Sequence, residues 1–185
     1  MTRSLPIAAL LLFTVACNSN KTEPAAEPTT VAPATETPAP APQKHEYATK
    51  PWYSSDFEIG DFKQGDIVVD LWKQFDDNTI EKGLDYFADT VSMSGADGFR
   101  FTGTRDSLMK MVKKIRGGFS AYRTTIAAIA PLKSVDKNEN WVCIWGTEYT
   151  TFKNKVDSSD IQENWRFDKN GKVAFMHSYS RKTHK

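Results

Sequence analysis

Cysteine is scarce in this chain: Cys17 and Cys143 are the only two among 185 residues. Two cysteines exclude a disulfide framework and any Cys-rich zinc site. A surplus of one charge is missing too, with 24 Lys and Arg against 23 Asp and Glu for a formal +1. That balance argues against a nucleic-acid partner, which leaves a basic excess in composition. No glycine-rich phosphate loop is present. The stretch Leu5 to Ala16 is 12 residues long with Pro6 inside it, whereas a membrane-spanning helix needs about 20. The three histidines, His45, His177 and His184, have no ligand spacing, so neither a metal nor a cofactor is expected. Glycine is absent before Gly60, and a single aromatic residue, Phe13, precedes Tyr47, while six of the nine prolines lie between Pro24 and Pro42. The first quarter of the chain therefore does not belong to the packed domain.

That first quarter reads as an address. Met1-Thr2-Arg3-Ser4 is followed by the apolar Leu5–Phe13 and by Thr14-Val15-Ala16-Cys17, the order of a secretory signal. The last four residues resemble the lipobox of bacterial lipoproteins, with Thr14 in place of the usual Leu. The resemblance implies cleavage before Cys17 and acylation of that residue, with residues 1–17 as the signal. Residues 18–46 follow as a linker of Pro, Ala, Thr and Glu, too poor in apolar side chains to offset chain entropy. In polyproline II geometry, Asn18 to Lys44 could hold a domain up to roughly 80 Å from a membrane. Asn18 after the lipidated residue implies, by the rule for typical Gram-negative lipoproteins, the outer membrane of a bacterial cell envelope.

Residues 47–185 carry the globular pattern. Ile67, Val68, Leu71, Trp72 and Phe75 share a helical face, predicting a helix from Phe62 to Phe75. Asn78 with Glu81 predicts a capping box for a second helix that ends near Asp89. Val91–Met93 and Phe99–Thr102, separated by Gly95, Asp97 and Gly98, read as a short hairpin. Thr104 caps a third helix, with Leu108, Met111, Val112 and Ile115 on one face and Gly117-Gly118 at its end. The period then changes to two, predicting strands over Tyr122–Ile129, from Leu132 or Trp141 to Phe152, over Ile161–Phe167 and over Val173–Ser180. Helices followed by strands argue an α+β domain with an antiparallel sheet.

Three local sequences carry a family likeness: Gly83-Leu84-Asp85-Tyr86-Phe87-Ala88-Asp89, Gly103-Thr104-Arg105-Asp106-Ser107-Leu108, and Trp165-Arg166-Phe167 with Asn170-Gly171-Lys172-Val173. Together with the element order, Asp56 to Arg181 resembles the SnoaL-like branch of the nuclear transport factor 2-like superfamily. The resemblance implies a cone: three helices against a strongly curved sheet that leaves a pocket. It also implies a fold shared by isomerases, cyclases, dehydratases and non-catalytic members, so fold alone does not choose an activity.

The pocket lining is read from the last hairpin. A three-residue turn with Gly171 left-handed would pair Asp168 with Lys172 and, counting outward, Phe167 with Val173, Trp165 with Phe175, Glu163 with His177 and Ile161 with Tyr179, these last four pairs on one face. Glu163 and His177 are then candidates for proton transfer. The resemblance adds Asp89, placed where ketosteroid-isomerase-like relatives hold polar pocket groups. Trp145, Tyr149, Trp165, Phe175 and Tyr179 are the expected aromatic walls, and Cys143, between Val142 and Ile144, is expected to be an inert thiol. The expected function is a membrane-tethered domain that binds a small hydrophobic ligand or a protein partner. The alternative is an isomerase or dehydratase working through the carboxylate and His. Relatives that pair through the outer sheet face imply a homodimer.

Overall fold

The computed structural model describes residues 45–183; the signal, Cys17 and nearly all of the 18–46 linker lie outside the described residues. Strand β1 (Phe57–Ile59) leads into helix α1 (Phe62–Asp76), a 3-10 helix (Ile80–Tyr86), the hairpin β2 (Phe87–Ser94) and β3 (Arg100–Thr104), and helix α2 (Arg105–Arg116). The long strands β4 (Ala121–Ser134), β5 (Glu139–Phe152), β6 (Lys155–Phe167) and β7 (Val173–Lys182) follow. They form one seven-stranded sheet in the order β1-β4-β5-β6-β7-β2-β3. All neighbours are antiparallel except β2 and β7, which run parallel.

Capping explains where the helices begin and stop. The Asp61 side chain accepts from Lys63 N at 2.9 Å and starts α1. Thr104 accepts from Ser107 N and starts α2, as its position before an amphipathic run predicts. Asn78 ends α1 rather than opening a second helix: it takes a left-handed φ of 57°, a conformation Asn tolerates better than most residues. Thr79 occupies the next N-cap position without a side-chain bond, and the expected α-helix is a 3-10 helix that gives way to strand at Phe87. Gly83 permits that helix to lie close on α1, since a Cβ there would stand 2.5 Å from Leu71 Cδ2.

The core fills the space between the helices and one face of the sheet. Val68, Leu71 and Trp72 of α1 and Leu108 of α2 pack with Val142, Ile144, Trp165, Phe167 and Val173 of the sheet. Arg116, at the end of α2, is buried and donates to the carbonyls of Phe75 (2.7 Å), Asp76 (2.8 Å) and Phe119 (3.0 Å). One guanidinium thus satisfies carbonyls at the end of α1, which the helix itself leaves without partners.

The β6–β7 turn has the expected geometry at its tip. Asp168 N donates to Lys172 O at 2.8 Å, Gly171 takes φ 72°, and Phe167 pairs with Val173. The register then shifts by one residue, because Ala174 is bulged out and Arg166 pairs with Phe175. The parallel ladder to β2 is irregular over the same part of β7, between the Phe87–Val173 and Ser92–Phe175 pairs. A bulge bends and twists its strand, so both ladders break where the sheet turns around the helices. From that point on, Met176 and Ser178 face the helices, and Phe175, His177 and Tyr179 face outward.

Candidate functional site

Between the helices and the inner face of the sheet lies a cavity of about 250 Å³. Its walls come from α1 (Leu71, Trp72, Phe75), from α2 (Leu108, Met111, Val112) and from the sheet (Phe87, Tyr122, Ile161, Trp165). Phe99 and Ile115 also line it, and with 38% and 47% of their surface accessible they mark its mouth. All four methionines that follow Met1, namely Met93, Met109, Met111 and Met176, contribute to the lining.

One charged side chain, Glu163 on β6, lines this apolar space. Strand alternation turns it inward between Ile161 and Trp165, and Ser178 stands opposite it on β7. Two indoles converge on a single carboxylate oxygen: Trp72 Nε1 donates to Oε2 at 2.7 Å, and Trp165 Nε1 donates to the same atom at 3.0 Å. Burial pushes the Glu163 carboxyl up to about 7, opposed by hydrogen bonds from Trp72, Trp165 and Ser178 and reinforced by the charge of Glu148. The residue is half-buried and lines the cavity.

A second polar cluster adjoins it. The Tyr122 hydroxyl donates to Glu148, and burial holds that phenol well above its usual range, with Glu148 the next cause. Burial also raises the Glu148 carboxyl, and the Tyr122 hydrogen bond opposes the rise. Thr124 donates through both N and Oγ1 to Asp76 Oδ2, each at 2.9 Å, while Asp76 Oδ1 is buried without a partner.

Of the residues expected from sequence, Glu163 and Trp165 lie at the cavity and the others do not. His177 pairs with Asn164 rather than Glu163 and stacks on Tyr179 on the outer face, with centroids 4.3 Å apart. Phe175 is outside as well, against Trp141 at 6.2 Å and Tyr53 at 6.5 Å. The bulge at Ala174 accounts for all three. Asp89 belongs to β2, not to a helix end, and its side chain is 98% exposed near Arg105. On β5 the inward residues are Val142, Ile144, Gly146 and Glu148, so Trp145 and Tyr149 face outward. Tyr149 carries Arg123 over its ring at 4.3 Å, and Trp145 borders a shallow outer groove with Tyr179 and Arg181. Cys143 is half-buried, and burial raises its thiol. Among the described residues no cluster of three His, Cys, Asp or Glu side chains could hold a metal, and no helix is long and apolar enough to cross a membrane.

No local sequence pattern points to the indole donors or to the Tyr122–Glu148 pair. Trp72 is legible as a core residue from its helical spacing, but its N–H reaches a strand 91 positions later. The methionines offered a compositional signal, since all but the first occur within the domain.

No family model and no curated protein matches this chain. Solved structures do. An NTF2-like protein of unknown function from Exiguobacterium sp. 255-15 aligns over 63% of this chain and 99% of its own, at 15% identity and a TM-score of 0.50. An LEH-like epoxide hydrolase from M. tuberculosis aligns over 64% and 83%, at 9% identity and a TM-score of 0.54. A protein assigned as a SnoaL-like polyketide cyclase from Shewanella denitrificans OS-217 aligns over 64% and 90%, at 9% identity and a TM-score of 0.52. The domain has the nuclear transport factor 2-like fold, an α+β cone. Its structural neighbours include both enzymes and proteins of unknown function.

Proposed function

We propose that this protein is a lipid-anchored component of the bacterial cell envelope, held by acylated Cys17 at the outer membrane, whose cone takes up a small hydrophobic ligand without transforming it. The observation that carries the reading is the cavity: about 250 Å³, walled by aromatic, aliphatic and methionine side chains, with one charged group inside. Concave, largely apolar sites with a few placed polar groups are the usual form of small-molecule sites. Methionine adapts to irregular shapes without a fixed rotamer, which suits a wall that must close on a ligand.

A second reading, proton transfer by an isomerase or dehydratase, draws on the Glu163 carboxyl being poised at about 7, where a general base or acid works best at neutral pH. The imidazole that would have partnered it faces outward, and the Tyr122 hydroxyl is committed to Glu148. Binding is therefore the better supported use.

The test has two parts. Cys17→Ser should move the full chain from the membrane fraction to the soluble fraction, since acyl chains contribute about 0.8 kcal/mol per buried CH₂. Protein purified under native conditions and then denatured should release a small apolar compound in near-stoichiometric amount. Retention of Cys17→Ser in the membrane would defeat the tether. An empty cavity that also accepts no added apolar compound would defeat the binding role.

A further inference from the structure

We propose that the cavity selects a hydrophobic amine, an apolar body of about two rings whose ammonium group pairs with Glu163. The inference rests on the ligand-binding reading above and specifies the chemistry of that site.

Charge points one way. Among the described residues no Lys, Arg or His lines the cavity, and Glu163 supplies the only side-chain charge there. Behind the wall stand two more carboxylates, Glu148 and Asp76, and together with Glu163 they act on the Tyr122 hydroxyl. Arg116 lies near the same ring, 5.8 Å from its centroid, but its guanidinium is committed to three main-chain carbonyls. An anionic ligand would meet a negative field with no donor to neutralise it, whereas a cation meets a counter-ion.

Hydrogen bonding points the same way. Both indoles donate to Glu163 Oε2. With Ser178 as a third donor, the carboxylate's roughly four acceptor positions leave room for a donor from the ligand. An ammonium supplies up to three. The aromatic lining adds to this, because Trp and Tyr rings attract cations through their quadrupoles. Size follows from volume: an apolar cavity of about 150 Å³ admits benzene, so 250 Å³ suits a bicyclic skeleton.

The experiment uses the full-length Cys17→Ser chain and three probes of one shape: 1-naphthylmethylamine, 1-naphthylmethanol and 1-naphthoate. Each is titrated by calorimetry at pH 8. The amine should bind about tenfold or more tightly than the alcohol, and the carboxylate more weakly than either. In Glu163→Gln the amine-to-alcohol ratio should fall to near one, with native near-ultraviolet circular dichroism as the folding control. In the unaltered site, amine affinity should fall about tenfold per pH unit below about 7, as a proton competes for Glu163 among Trp72, Trp165, Ser178, Tyr122 and Glu148. Alcohol or naphthoate binding as tightly as the amine would overturn the amine selectivity and leave the cavity reading standing. An unchanged ratio in folded Glu163→Gln would do the same. Absence of binding by all three probes would overturn the ligand-binding reading and this inference with it.

Discussion

The indole N–H of Trp72 on α1 donates to Oε2 of Glu163 on β6 at 2.7 Å, so one hydrogen bond joins the first helix to the middle of the sheet. It also fixes which way the carboxylate points, because Trp165 donates to the same oxygen from the adjacent inward position of the strand. The polar centre of the cavity is therefore held by two aromatic side chains that belong equally to the core.

Trp72→Phe should separate the two roles. The ring remains as packing while the donor is lost, and a hydrogen bond to a charged acceptor is worth about 1.5–3 kcal/mol. Urea denaturation at pH 8 should show a loss in that range. The Glu163 carboxyl should titrate higher than about 7, since a donor to its charged form has gone. Carbon-detected NMR of the carboxyl reads that shift directly.

Glu163 should make the fold less stable as pH rises. Its folded value of about 7 stands above the ordinary 4.5, so the native chain holds its proton where the unfolded chain has released it. The contribution is fully present below about 4.5 and is lost as pH passes through about 7, a change of about 3 kcal/mol at most. Glu148, raised by burial, acts in the same direction. Comparing the native chain with Glu163→Gln at pH 5 and pH 8 isolates Glu163: the variant should gain relative to the native chain at the higher pH.

Core truncation should be costly on both sides of the cavity. Phe87 and Trp165 are almost fully buried, and Phe87→Ala or Trp165→Ala should lose about 3–5 kcal/mol in equilibrium unfolding. Trp165→Ala should also raise the Glu163 carboxyl, while Phe87→Ala should not.

Gly146→Ala should destabilise by about 1–3 kcal/mol despite adding one methyl group. Its Cβ would stand 2.2 Å from Thr125 O and 2.9 Å from the Trp72 ring. Backbone cannot move aside as a side-chain tip can, so the β4–β5 ladder must shift or the Trp72 indole must leave Glu163. A variant that melts like the native chain would contradict the closeness of this contact.

The elements that sequence made legible are those whose signals are local. Thr104 sits at a helix N-terminus, the α1 stripe through Val68, Leu71 and Trp72 is buried, and Gly171 sits left-handed in the last turn. Strand β1 has three exposed residues and forms only by pairing with the far end of β4. The first half of β6, from Lys155 to Asp160, is polar but for Val156 and has no alternating pattern. It is strand because Lys153 and Asn154, both at positive φ, turn the chain tightly back on β5. The site divides along the same line. Glu163 and Trp165 lie before the bulge and were reached by alternation from Phe167. His177, Phe175 and Tyr179 lie beyond it, and nothing local distinguishes Ala174 from an ordinary strand residue. The bulge lies where β7 pairs with both β2 and β6 and where both ladders are irregular, a long-range relationship that no short window contains.

An apolar ligand should enter the cone beside Glu163, and the five tryptophans report on it separately. The measurement is a titration of the ¹⁵N-labelled full-length Cys17→Ser chain with 1-naphthylmethanol, following the five indole N–H resonances. The Trp72 and Trp165 signals, both from cavity-lining residues bonded to Glu163, should shift together and saturate. Those of Trp52, Trp141 and Trp145, which do not line the cavity, should stay in place. Shifts confined to the latter three, or none at any concentration, would contradict entry of the ligand beside Glu163.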